Sequence, residues 1–169
     1  MRFFLYFVFL IFFFFTPSIL FSETFFGEVS FVPDGDTIHL RKNFKKFKIR
    51  LSGIDCPEIR QLGGVSAKRR VKELIFKKKV KVVGKGYDRY GRVIGKVFFQ
   101  GNIDLGLVLV SEGLCWWYKK YAKNNLSLSE AESKARKKKI GVWSHSNPLP
   151  PWKWRKLRRK KKIKDFLNF

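Results

Sequence analysis

Apolar and polar residues alternate through Phe47-Lys48-Ile49-Arg50-Leu51-Ser52, so Phe47, Ile49 and Leu51 share one face and Lys48, Arg50 and Ser52 the other. This predicts a half-buried strand with Arg50 pointing away from the core. Residues Gly27 to Val32, Thr37 to Leu40, Val80 to Val83 and Val93 to Phe99 read as further strands. They are bounded by the turn signals Pro33-Asp34-Gly35, Gly84-Lys85-Gly86 and Gln100-Gly101-Asn102. Elsewhere the period changes. Ala67, Val71, Leu74 and Ile75 follow helical spacing after Ser66, with Lys68, Arg69, Arg70 and Lys72 on the open face. Asp104 can cap a short helix that Gly113 ends, and Ser127 with Glu130 forms a capping-box pair ahead of a helix from Ala131 to Lys139, ending at Ile140-Gly141. Five short strands with about three helices make an α+β chain, mainly β, whose order suits an oligonucleotide-binding (OB) barrel or another α+β fold.

The first 22 residues follow a different rule. Arg2 precedes an apolar run from Phe3 to Phe15, then Thr16-Pro17-Ser18 and a small residue at Ser22, the layout of a secretory signal peptide. Pro17 and the small residues near Ser22 favour cleavage. The alternative is a membrane anchor through residues 3–21, close to the roughly 20 residues that a bilayer core requires. The chain thus divides into a signal peptide (1–22), one domain (23–156) and a basic tail (157–169). Export to the periplasm or the medium is the expectation, with no stable membrane partner once the leader is removed.

Charge narrows the partner. The chain has 37 Lys+Arg against 13 Asp+Glu, a formal net charge of +24. Such a surface concentrates polyanions around itself and predicts salt-sensitive association with nucleic acid or another anionic surface. The run Trp152 to Lys164 holds nine basic residues in thirteen. It reads as a segment that cannot pack, solvated or adhering to phosphates, with Leu157 to Lys164 assigned to substrate capture. Trp152 and Trp154 suit either packing over the barrel or stacking on bases, with packing preferred.

Against this cationic background the acids stand out. Asp36 and Asp55 offer carboxylate oxygens and the peptides near Asp55 offer carbonyls, an oxygen-only set that suits Ca²⁺ or Mg²⁺. Two His, two Cys and no CxxC or HExxH spacing argue against zinc. Asp34-Gly35 alone reads as a turn. Arg92, at the end of Tyr87-Asp88-Arg89-Tyr90-Gly91-Arg92, opens a strand where a planar guanidinium can grip a phosphate. Paired with Arg50, it supplies the two cations that phosphodiester cleavage needs near the charge developing on the non-bridging oxygens.

The segments DGDT, IRLSGIDCPE, DRYGR, EGLCWWYKKYA, KKKIGVW and PLPPWKWRK occur in the order and near the spacing seen in staphylococcal-nuclease-like proteins, the thermonuclease family, which this chain resembles over about residues 25–156. The resemblance implies a five-stranded OB barrel with three helices, and Ca²⁺-dependent hydrolysis of phosphodiesters in DNA and RNA with little sequence preference, leaving 3′-phosphates. It implies Asp36, Asp55 and the backbone carbonyl of Cys56 as calcium ligands. Glu58 would activate or orient the attacking water, Arg50 and Arg92 would bind phosphate and stabilise the transition state, and Tyr90 and Tyr121 would line the nucleotide site. The expected partner is nucleic acid, and the expected state a monomer.

Some features depart from that pattern. Cys56 stands where some members have Thr, and both Ile59 to Val65 and the turn between Val83 and Asp88 are short. Two readings outside this activity remain open on the sequence: a barrel that binds nucleic acid without cutting it, and a cationic adhesion protein held by its leader. In an exported chain with two cysteines, a disulfide between Cys56 and Cys115 is expected, two free buried thiols being the rival.

Overall fold

The structure, a computed structural model, describes residues 23–167. The expected leader, with the alternative anchor at 3–21, lies outside the described residues. Among these, no helix is long and apolar enough to cross a membrane. The chain runs β1 (Thr24–Phe31), β2 (Thr37–Lys42), β3 (Lys45–Leu51), β4 (Ile54–Asp55), α1 (Gly64–Ile75), β5 (Lys79–Tyr87), β6 (Val93–Phe99), β7 (Ile103–Asp104), α2 (Leu105–Ser111), β8 (Trp116–Trp117), α3 (Leu126–Lys137), a 3₁₀ turn (Gly141–Ser144) and α4 (Pro151–Leu167).

Five strands close into a barrel in the order β3-β2-β1-β5-β6, and a parallel pairing of β3 with β6 joins the ends. The other barrel pairings are antiparallel. Alternation does the sorting: Phe25, Val29, Ile38, Leu40, Ile49, Leu51, Val80, Val82, Val93 and Val97 point inward and are buried, while their sequence neighbours face out. Where β5 and β6 cross most closely, Gly84 pairs with Gly95. A Cβ on Gly95 would come within 2.7 Å of the Val83 carbonyl oxygen, so the crossing requires a residue without a side chain. The barrel with its helices is the OB architecture expected from the strand count.

Several boundaries differ from the sequence reading. Gly84-Lys85-Gly86 is not a turn: β5 continues to Tyr87 through a shift of register, because pairing to β6 outweighs the local preference of two glycines. The third helix starts at Leu126, capped by the Asn125 side chain accepting from the Leu128 N–H at 3.2 Å, so Ser127 and Glu130 lie inside it and form no capping box. Asp104 caps α2 as expected, accepting from the N–H groups of Gly106 and Leu107. The largest difference is a fourth helix. Pro151 opens α4 at the position where a missing N–H costs nothing, and the helix continues past the expected boundary at Lys156 without a break. Its first turn packs: Pro151 is buried, and Trp152 stacks on Tyr118 with ring centroids 5.3 Å apart and planes 3° from parallel. The expectation of an unpackable run therefore fails for the first turn. From Lys156 on, the residues whose burial is described are exposed.

Cys56 and Cys115 form a disulfide, with Cα atoms 4.2 Å apart. It joins the residue after β4 to the residue before β8, and those two short strands pair antiparallel, Ile54 with Trp117 and Asp55 with Trp116. The bridge closes a sequence separation of 59 residues, which in the chain-entropy picture contributes about 4 kcal/mol. Reduction should lower the urea midpoint by a corresponding amount without unfolding the barrel at room temperature. Equal midpoints for oxidised and reduced protein, with the free thiols verified by alkylation and intact mass, would refute this.

Candidate active site

The site is assembled where β2, β3 and the start of β6 meet. Thr37 pairs with Arg50 across β2 and β3, and Arg50 pairs with Ile94 across the β3–β6 closure, which brings Arg92, just before β6, beside the same end of the barrel. Asp34 shapes the approach: its Oδ1 accepts from the N–H groups of Asp36 at 3.0 Å and Thr37 at 2.7 Å, so Asp34 is a turn former, as its dipeptide implied. Gly35 then lets the turn lie against the core. A Cβ there would sit 2.8 Å from the Cβ atoms of both Ala67 and Cys56.

Two buried carboxylates converge on one arginine. Arg50 Nη1 lies 3.1 Å from Asp36 Oδ2, and its Nη2 donates to Asp55 Oδ1 at 2.9 Å. The Cys56 N–H also donates to Asp36 Oδ2, at 2.7 Å, so the disulfide-anchored peptide holds the acid from the other side. Asp36 Oδ1 has a far weaker partner, the Thr37 hydroxyl at 3.4 Å. Burial pushes the Asp36 carboxyl up to about 7, further than the opposing pull of Arg50 can offset. Arg92 is fixed separately: its Nε donates to Asp88 Oδ2 at 2.8 Å, and its Nη1 reaches the Thr37 hydroxyl at 3.4 Å. Burial works to raise Asp88, but hydrogen bonds from the Arg92 N–H and guanidinium and from the Tyr90 N–H hold it below the usual carboxylate range.

The expected residues come together. Asp36, Arg50, Cys56, Glu58, Tyr90, Arg92 and Tyr121 line one cleft, and fully buried Asp55 lies behind them. Tyr90 and Tyr121 are largely exposed on its rim; Arg89 and Arg92 lie over the Tyr90 ring, and Tyr121 meets Tyr118 edge-on at 4.9 Å. Among the described residues, no three His, Cys, Asp or Glu side chains gather as a metal-ligand group. A cation here would have two carboxylates, with main-chain and water oxygens supplying the rest. A buried carboxylate with one poorly partnered oxygen, in an oxygen-only donor set, fits a hard divalent ion such as calcium.

Sequence reasoning missed three participants. Arg155 of α4 donates to Asp55 Oδ2 at 2.7 Å and to Glu58 Oε1 at 2.9 Å. Buried Gln61 accepts from the Glu58 N–H and donates to the Leu149 carbonyl. Thr37 links Asp36 to Arg92. A signal for Arg155 did exist: Trp152, Arg155 and Arg159 recur at helical spacing after Pro150-Pro151 and line one cleft. It was hidden in a run where nearly every residue is basic.

The family described as staphylococcal nuclease homologue has a model that matches residues 48–145. A micrococcal nuclease of Shigella flexneri is 38% identical over 139 residues, covering 77% of this chain and 80% of its own. An uncharacterized endonuclease of Haemophilus influenzae is 35% identical over 139 residues, 82% of this chain and 77% of that protein. The staphylococcal-like nuclease CAN1 of Arabidopsis thaliana is 41% identical over 115 residues, which span 68% of this chain but 35% of that protein. A family match over more than half of the chain, with the Shigella and Haemophilus relatives alike over most of their own length, shows that this chain belongs to the staphylococcal nuclease homologue family.

Proposed function

We propose that this protein is an exported, calcium-dependent nuclease that hydrolyses phosphodiester bonds in DNA and RNA with little sequence preference, leaving 3′-phosphate ends. The observation that carries the reading is the convergence of Arg50 and Arg92 with Asp36, Asp55 and Glu58 at one end of the barrel. Asp36, Asp55 and the Cys56 carbonyl are the groups that would hold calcium, and when bound the ion supplies charge neutralisation and Lewis-acid polarisation at the phosphate. Arg50 is held at the cleft by two carboxylates and Arg92 by Asp88, so both guanidiniums are pre-oriented and need no reorganisation as negative charge builds on the non-bridging oxygens. Glu58, at the mouth of the cleft, accepts or steers the proton of an attacking water. Tyr90 and Tyr121 are largely exposed aromatic side chains that any base can contact, which supports weak sequence preference. Export is supported by the layout of residues 1–22 and by a disulfide, which persists in oxidising compartments.

Hydrolysis of single-stranded DNA should proceed with Ca²⁺, be poor with Mg²⁺, which demands tighter octahedral geometry, and stop in chelator. Full activity in chelator would overturn the calcium dependence. Glu58→Gln, Arg50→Lys and Arg92→Lys should each lower turnover by roughly two orders of magnitude with substrate still bound; wild-type turnover in any one removes that residue from the mechanism.

The same site sets a pH dependence. The Asp36 carboxyl is raised from 3.8 to about 7 by burial, so below that pH the cation must displace a proton. Calcium affinity measured by titration calorimetry should fall as pH drops below 7, by about tenfold per unit. For the ion-free protein the sign is opposite. The unfolded chain releases this proton first, so stability should decline as pH rises from about 4 through 7. A flat calcium affinity across that range would contradict the assignment of Asp36.

The exposed end of α4 is assigned to capturing polyanion. Replacing Lys160, Lys161 and Lys164 by Gln should flatten the log-log salt dependence of single-strand binding by about 0.7 for each phosphate no longer neutralised, and leave turnover on a dinucleotide nearly unchanged. An unaltered salt slope would show that this segment does not touch nucleic acid.

A further inference from the structure

Arg155 belongs to a helix that lies beyond residues 48–145, the stretch matched by the family model, yet it makes the contacts that define one side of the site. Its Nη1 lies between two carboxylates, 2.9 Å from Glu58 Oε1 and 3.2 Å from Asp55 Oδ1, while its Nη2 donates to Asp55 Oδ2 at 2.7 Å. Asp55 is fully buried and already bonded to Arg50, so it is a fixed point. Glu58 is different. It sits on the loop between β4 and α1 with its side chain 42% exposed, and among the described residues no other side chain bonds its carboxylate.

The backbone of the Glu58 loop is tied to the same helix. Gln61 accepts the Glu58 N–H through Oε1 and donates through Nε2 to the carbonyl of Leu149, two residues before α4. The helix is seated in turn by the parallel stack of Trp152 on Tyr118, whose own N–H donates to the Gly53 carbonyl at 2.8 Å. The main chain of Glu58 is therefore referenced through Gln61 to Leu149, just before α4, and its side chain to Arg155 within the helix.

We propose that Arg155 is a positioning residue for the hydrolytic reaction, its guanidinium holding the Glu58 carboxylate in register with Asp55, so that the N-terminal end of α4 is a working part of the active site. This inference rests on the role given above to Glu58. A planar, two-nitrogen fork suits the task because it engages two carboxylates at a fixed separation, which a point charge cannot do. A long side chain left without that anchor samples several rotamers, and a misplaced water-activating group costs turnover rather than substrate affinity. The guanidinium also has an opposite effect on metal affinity. It is a cation beside Asp55, so removing it lowers the repulsion felt by a divalent ion at the same carboxylate.

These two consequences have opposite signs, and that makes the test selective. In full-length Arg155→Gln, kcat on a dinucleotide substrate should fall roughly 10- to 100-fold with KM little changed. Ca²⁺ binding by titration calorimetry should meanwhile tighten, by about threefold or more. Arg155→Lys should recover part of the turnover, and Arg155→Gln added to Glu58→Gln should cost little beyond the single Glu58 change, since a residue acting through Glu58 has nothing left to act on. Turnover, calcium affinity and thermal midpoint all falling together would make Arg155 a structural prop and overturn the proposal. So would a full additional loss in the double variant. Normal turnover in Arg155→Gln beside an active wild type overturns this inference alone, whereas a wild type inert with Ca²⁺ overturns the nuclease reading and this inference with it.

Discussion

The bonding of Arg50 to Asp36 and Asp55 at once is the interaction on which the arrangement of this protein depends. Two carboxylates taken out of water at the end of a barrel each lose several kcal/mol of hydration, and neither could stay ionised beside the other without a cation between them. Arg50 meets both, at 3.1 and 2.9 Å. It can do so because β2 and β3 pair in the register that sets Thr37 opposite Arg50. A slip of one residue would turn Arg50 toward the core and bring Ile49 to the cleft. Register, acid pair and cleft are thus one requirement seen at three scales.

Everything near the acids serves to hold short, irregular backbone in place. β4 and β8 are two residues each, too short to persist alone, and the disulfide beside them ties their ends together. The Cys56 N–H, fixed by that bridge, gives Asp36 its short hydrogen bond. Gly35 allows the preceding turn to press against Cys56 and α1 at a distance no Cβ would tolerate. Asp36 nevertheless remains under-compensated, with burial outweighing Arg50. That residual deficit of positive charge is the physical basis for expecting a cation there.

The C-terminal helix gives the strong basic charge two separate uses. Its N-terminal end is packed and specific: Trp152 lies on Tyr118, and Arg155 is bonded to Asp55 and Glu58. Desolvation opposes the charge on Arg155, yet its hydrogen bonds to those two carboxylates hold the proton more firmly than usual. Among the described residues beyond Lys156 no such ion pair fixes a side chain, and their charge acts collectively through the field around the molecule. One helix thereby joins a short-range geometric role to a long-range electrostatic one.

The strands, the capped α2 and the acid-arginine set were legible in the sequence because each is a local statement. Alternation at Phe47 to Ser52 shows which face Arg50 takes, Asp104 sits where a helix needs an acceptor, and the spacing of Asp36, Asp55, Glu58 and Arg92 carries the family resemblance. Long-range contacts decided the rest. Gly84 and Gly86 read as a turn, yet cross-barrel pairing with β6 drew them into a strand. Ser127 and Glu130 looked like a cap, yet Asn125 took that place when the helix began a turn earlier. Arg155 is one of nine basic residues in its run, and its neighbours in sequence say nothing of Asp55, a hundred positions away. Composition can report how much charge a segment holds, but only the fold decides which guanidinium meets a buried carboxylate, because that depends on where a packed helix turn places it.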